Sequence, residues 1–262
     1  MLSSLLKRLT LDQWRAIDAQ YRCEPLPDLR AAAVLVTAGL SLVLPRYFGR
    51  PSRLDDLPTL REVALVAIPH PDLLPHLYWA AFKLLNYGVL PYLCIKLVLR
   101  GRARDHGLRF VREPRAWMLY AAMVALVIPM AYLASGTEAF LRTYPKYANA
   151  GESLEQFLLW ELAYGFQFFM LEFFFRGFFI FALARYIGSL AIFVMVVPYA
   201  MIHFGKPLAE CLGSIVAGVA LGTIALRTGS IYGGVAVHCA VAWSMDLFAL
   251  AGRGKLTALL GP

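Results

Sequence analysis

Eight ionisable side chains stand inside otherwise apolar stretches of this chain: Lys83, Glu161, Glu172, Arg176, His203, Glu210, His238 and Asp246. Charged groups in such stretches are costly and mark functional sites by default. Glu172 and Arg176 lie in MLEFFFRGFF. A spacing of four puts them on one helix face, one turn apart. Two readings follow: an ion pair that fixes helix packing, or a carboxylate kept ionised by its guanidinium and ready to accept a proton. His203, in PYAMIHFGKP, and His238, in GGVAVHCAVAW, come from separate segments. A carboxylate and an imidazole together can activate a water for attack on a peptide carbonyl. A second imidazole can then donate to the oxyanion. The same donor set, Glu172 with His203 and His238, also suits a divalent metal such as zinc with one open position. Spacing does not separate these chemistries.

Glu210 follows His203 by seven residues and Asp246 follows His238 by eight. Each can orient a histidine or serve as a helix-end group, and an acid in a first helical turn suits Glu210. Glu161 lies eleven residues before Glu172, on nearly the same face, and reads as packing. Gly213, Gly218 and Gly222 read as small residues that let helices approach closely in lipid.

The elements that carry these residues follow from composition. Of 262 residues 60% are hydrophobic and 16% charged, against about 25% charged in a soluble domain. This excludes a disordered chain and argues against an ordinary soluble domain. Four cysteines, Cys23, Cys94, Cys211 and Cys239, make no CxxC pair and read as packing residues. Stretches near the 20 residues needed to cross a bilayer run from Ala31 to Phe48, Leu73 to Leu99, Trp117 to Ala134, Leu154 to Tyr186, Ser189 to Phe204, Leu208 to Leu226 and Ile231 to Leu250. The predicted fold is all-α, a polytopic transmembrane bundle of about seven spans. The second span can kink at Pro91. The fourth, roughly 50 Å long at 1.5 Å per residue, must project from the membrane or break. The chain divides into an N-terminal cytosolic or interfacial segment (1–30), N-terminal spans (31–135) and a core (144–250).

The net charge is +8. The basic residues cluster between apolar blocks, which fits anionic lipid headgroups and not nucleic acid. Lys96, Arg100, Arg102, Arg104, Arg109, Arg112 and Arg115 mark the segment between spans two and three as cytoplasmic. Lys7, Arg8, Arg15, Arg22 and Arg30 place the N-terminus on the same side, although Arg46, Arg50, Arg53 and Arg61 run against the rule in the first outer loop. Leu2, Leu5, Leu6, Leu9, Leu11 and Trp14 can form a helix on the membrane surface or a cytosolic cap. No cleavable signal peptide is expected.

LEFFFRG, then YAMIH, then a histidine in the last span resembles the CAAX-protease and bacteriocin-processing family of intramembrane proteases, whose pattern is EExxxR, FxxxH and HxxxN or HxxxD. The resemblance runs from about Tyr144 to Asp246. It implies that Glu172, Arg176, His203 and His238 are the catalytic set, with Tyr199 at the phenylalanine position of the second motif. It implies membrane localisation, here a bacterial inner membrane, and a membrane-associated protein or peptide as substrate. Two positions depart. Leu171 replaces the first glutamate, to which the family usually assigns water activation, and Ala242 replaces the last Asn or Asp. Glu172 can take the missing role if the helix is rotated or locally distorted, and Asp246 stands one turn beyond Ala242. The expected activity is a glutamate-dependent endopeptidase that needs no cofactor. The alternative is an inactive scaffold of the same fold. A proton-relaying transporter is a third reading, weakened by the lack of two similar halves.

Overall fold

The computed structural model describes residues 2–21, 28–68, 70–110, 113–256 and 259. Cys23, Arg22 and Arg112 lie outside them. All regular elements among the described residues are helical: α1 (Leu2–Leu9), α2 (Leu11–Tyr21), α3 (Leu29–Tyr47), α4 (Pro58–Ala67), α5 (Pro71–Val98), α6 (Pro114–Ala134), α7 (Glu138–Thr143), α8 (Leu154–Ile187), α9 (Leu190–Met201), α10 (Leu208–Thr228) and α11 (Tyr232–Gly252). Six of these (α3, α5, α6, α8, α10 and α11) are long and apolar enough to cross a membrane. The protein is an integral membrane helical protein.

The fifth expected span is shorter than the sequence indicates. α9 has 12 residues and stops at Met201, roughly 18 Å of helix. Pro198 removes a backbone donor near its end, and Gly205 turns the chain at φ 90°. His203 therefore sits in a turn after α9 and not within a helix. α8, at 34 residues, continues without a break, but its ladder changes. Residues Phe173–Ile180 form a π-helical segment, an insertion of the kind found at functional sites. α5 carries two such segments, Leu84–Val89 and Cys94–Val98, on either side of Pro91.

The chain separates into two compact units, and both draw on distant parts of the sequence. The first (residues 1–41, 87–116 and 171–234) holds α9, α10 and the second half of α8. Its interior is aromatic: Phe174, Phe175 and Phe178 are fully buried, and Tyr87 stacks on Phe174 with centroids 4.7 Å apart. On α10, a Cβ at Gly218 would press on Val196 and Tyr199, and one at Gly222 on Ile180 and Ile192. These two glycines are the small-residue seam that lets helices close up in lipid. Gly213 is not part of it, because it faces open space near the exposed start of α10. α2 docks on this unit through Trp14, whose ring meets Phe193 edge-on at 4.9 Å and whose Nε1 donates to Thr223. α1 keeps Leu5, Leu6 and Leu9 exposed.

The second unit (42–86, 117–170 and 235–262) packs Trp160, Tyr164, Tyr147 and Leu73 around Ala150 and Ala242. Tyr147 donates its hydroxyl to Asp72, which also accepts from Asn149. Burial and that bond raise the Tyr147 phenol above its usual range.

Candidate active site

The apolar run MLEFFFRGFF buries its acid and its base together. Glu172 is 1% exposed and Arg176 0%. Their side chains meet with Nη1 3.1 Å from Oε1. A lone charge here would cost several kcal/mol, so each charge makes the other tolerable. Glu172 is the last residue before the π-helical segment. The ladder change begins with the next residue, so Arg176 lies within the π segment and Glu172 just before it.

Tyr199 connects this pair to the histidine. The Arg176 guanidinium lies 4.2 Å from the centre of the Tyr199 ring, within cation–π reach. The His203 ring meets the same tyrosine at 4.9 Å and 64°, and Phe175 closes it at 5.1 Å. The charges of Arg176, Glu172 and Glu210 all reach the Tyr199 phenol. Tyr199 is 1% exposed, so it forms the inner wall that Arg176 and His203 share. His203 Nδ1 lies 2.8 Å from the Tyr199 carbonyl. A carbonyl only accepts, so Nδ1 carries the hydrogen and Nε2 is the basic nitrogen. The turn that carries His203 is tied down by the Cys211 thiol, which donates to the His203 carbonyl at 2.9 Å.

One further contact has no signal in the sequence. A Cβ placed on Gly234, near the start of α11, would run into Glu172 Oε2. Glycine there lets the α11 backbone approach the carboxylate closely, a role that no spacing rule indicates.

The remaining expected residues fall as follows. His238 lies one turn beyond Gly234 on α11, in the second unit, where it stacks on Phe168 at 5.4 Å. Glu210 stands in the first turn of α10 and pairs with Lys206 at 2.5 Å. That is the helix-end arrangement, and His203 takes its orientation from the Tyr199 carbonyl. Asp246 accepts from Trp160 Nε1 at 2.8 Å and abuts the Glu161 carboxyl. Ala242 sits in the Trp160–Tyr164 aromatic cluster and Leu171 is buried, so both departures from the motif are apolar core residues. Lys83 is half-buried at a turn of α5 where its helix enters a π segment. Among the described residues no group of three or more His, Cys, Asp or Glu side chains is gathered to hold a metal ion, so the structure adds no ligand set to the zinc option.

Residues 153–244 match the family model of the Rce1-like type II CAAX prenyl endopeptidases. The matched segment, about a third of the chain, contains Glu172, Arg176, Tyr199, His203, Gly234 and His238. Asp246 falls outside it. No curated protein and no solved structure matches the chain. The Rce1-like segment thus coincides with the stretch in which the buried acid–base pair and its tyrosine wall are built.

Proposed function

We propose that the protein is a glutamate-dependent intramembrane endopeptidase that cleaves a membrane-tethered peptide. The observation that carries this reading is the Glu172–Arg176 pair, fully buried within the Rce1-like segment and walled by Tyr199 with His203. Glu172 acts as general base on a water, its anion held by Arg176. His203, through Nε2, shares the proton and passes it to the leaving amine. His238 has the oxyanion role that the resemblance assigns to it. Glu172 is sealed while His203 is half-exposed, so substrate and water reach the carboxylate from the His203 side after an opening motion. The name of the matched family gives the first substrate to try, a peptide ending in a C-a-a-X sequence whose cysteine is prenylated. The N-terminus and the arginine-rich segment 100–115 face the cytoplasm on the positive-inside rule, in a bacterial inner membrane.

The test uses the full-length protein in proteoliposomes with a fluorogenic peptide anchored by a farnesyl group, and with the same peptide on a transmembrane anchor. Glu172→Gln should lower cleavage by roughly 10²- to 10⁴-fold. Undiminished cleavage by that variant rules out Glu172 as the base. A specific observation favours a second reading, an inactive scaffold: Leu171 and Ala242 are packed apolar residues with no proton to offer. On that reading wild-type protein cleaves neither peptide, and Glu172→Gln leaves the cellular role intact.

A further inference from the structure

The segment between α5 and α6 enters the first unit and touches the π-helical stretch at one carbonyl. His106 is 7% exposed, the last residue of the short 3-10 turn Ala103–His106. Its Nδ1 lies 2.9 Å from the Gly177 carbonyl, so Nδ1 donates and Gly177 accepts. Gly177 directly follows Arg176 and lies inside the π segment, where the Phe181 N–H returns to the Arg176 carbonyl five residues back. The approach is close on both sides. A Cβ on Gly177 would meet the His106 carbonyl oxygen at 2.7 Å. Gly107, at φ 82°, takes a left-handed turn that side chains resist and accepts the Ile231 N–H at 3.1 Å. Ile231 immediately precedes α11, the helix that brings Gly234 to Glu172. Two adjacent residues of one loop therefore grip the chain on both sides of the carboxylate: the π turn that carries Arg176 and the start of the helix that carries Gly234.

We propose that His106 is a positioning residue, which holds the π turn at Gly177 so that Arg176 meets Glu172 and Tyr199 in their working geometry. The proposal rests on Glu172 as base for its catalytic consequence, and on the His106–Gly177 bond alone for its structural one. A wider helical turn leaves backbone groups out of the ordinary ladder, and a side-chain donor that fixes one of them selects a single register. His106 is suited to this because burial lowers its pKa and keeps it neutral, so it donates from Nδ1 without placing a second cation beside Arg176. Arg185 from α8 opposes its protonation, while the Gly177 carbonyl and Asp105 of its own loop favour it.

The experiment compares wild type with His106→Ala, His106→Asn and His106→Gln in proteoliposomes and in detergent. Asparagine puts an N–H at the Nδ1 position, and glutamine does not. Two readouts are taken: cleavage of the farnesylated peptide, and amide hydrogen exchange over residues 173–180. His106→Ala and His106→Gln should lower kcat roughly tenfold, with KM nearly constant, the effect of losing one hydrogen bond. Both should speed exchange over 173–180 relative to the rest of α8. His106→Asn should restore both. Unchanged local exchange in His106→Ala, or equal loss in the asparagine and glutamine variants, overturns the proposal. Should wild type cleave nothing, the exchange arm still decides the bond while the endopeptidase reading falls separately. A pH series adds a check. The folded-state pKa of His106 lies below the ordinary 6.5, so the unfolded chain binds more protons there, and stability falls as pH drops below about 6.5. The thermal midpoint should fall less in His106→Asn than in wild type over that range, and equal slopes count against the neutral-donor role.

Discussion

Glu161 and Glu172 lie eleven residues apart on α8, both buried, and they meet opposite partners. Glu172 meets the Arg176 guanidinium, backed by the Tyr199 ring. Glu161 meets the carboxyl of Asp246, whose Oδ2 accepts from Trp160. In a water-poor interior the first arrangement sets a carboxyl against a guanidinium. The second sets one buried carboxyl against another. Burial alone therefore does not distinguish the two acids. Their partners do: among the described residues Glu172 faces a cation and Glu161 another acid.

The comparison breaks most directly in a paired assay. Glu172→Gln should cost roughly 10²- to 10⁴-fold in the rate of cleavage, while Glu161→Gln, with folded protein verified by size-exclusion in detergent, should change the rate by no more than a few-fold. An equal loss in both would mean that the two acids form one functional set. Next in size is Arg176→Met. It leaves Glu172 buried without its cation and should destabilise the protein by about 3–5 kcal/mol, read as a lowered midpoint in denaturant or thermal unfolding. Trp160→Phe removes the donor to Asp246 but leaves the second acid, and should cost about 1–3 kcal/mol with cleavage kept. The smallest effect belongs to Asp246→Asn. It retains an oxygen for Trp160 and removes one of the two competing charges, so stability should move by less than about 1 kcal/mol. A loss as large as that of Arg176→Met would show that the fold depends on the Asp246 carboxylate and not on its bond to Trp160 alone.

The sequence is most legible where one dimension suffices. Hydropathy alone locates α3, α5, α6, α8, α10 and α11 to within a few residues, because a membrane span is a local property of composition. The Glu172–Arg176 contact is legible for the same reason: i and i+4 are neighbours on a helix whatever the rest of the chain does. The end of α9 is not, since YAMIHF is as apolar as the helix before it and only Pro198 and Gly205 mark the stop. The π register of Phe173–Ile180 is invisible because it is set by which carbonyl each N–H selects, and five phenylalanines suit either ladder. The partner of Asp246 and the role of His106 are tertiary facts. His106, in a charged loop, resembles a solvated residue until the loop is seen to reach Gly177. Tyr199 is intermediate. The resemblance places it in a motif, but its function as the wall between Arg176 and His203 emerges only from ring geometry.

Gly234 has a consequence for inheritance. Glycine inside a helix forgoes about 0.5–1 kcal/mol relative to alanine, so drift toward alanine would be rewarded on stability. The atoms that a methyl would displace are the tip of the Glu172 side chain, the end that pairs with Arg176. A single methyl at this position would keep every acid, arginine and histidine of the motif and drive the carboxylate from its place beside Arg176. On the endopeptidase reading, loss of function among descendants of this protein would be recorded at a glycine and at none of the charged residues by which the motif is recognised.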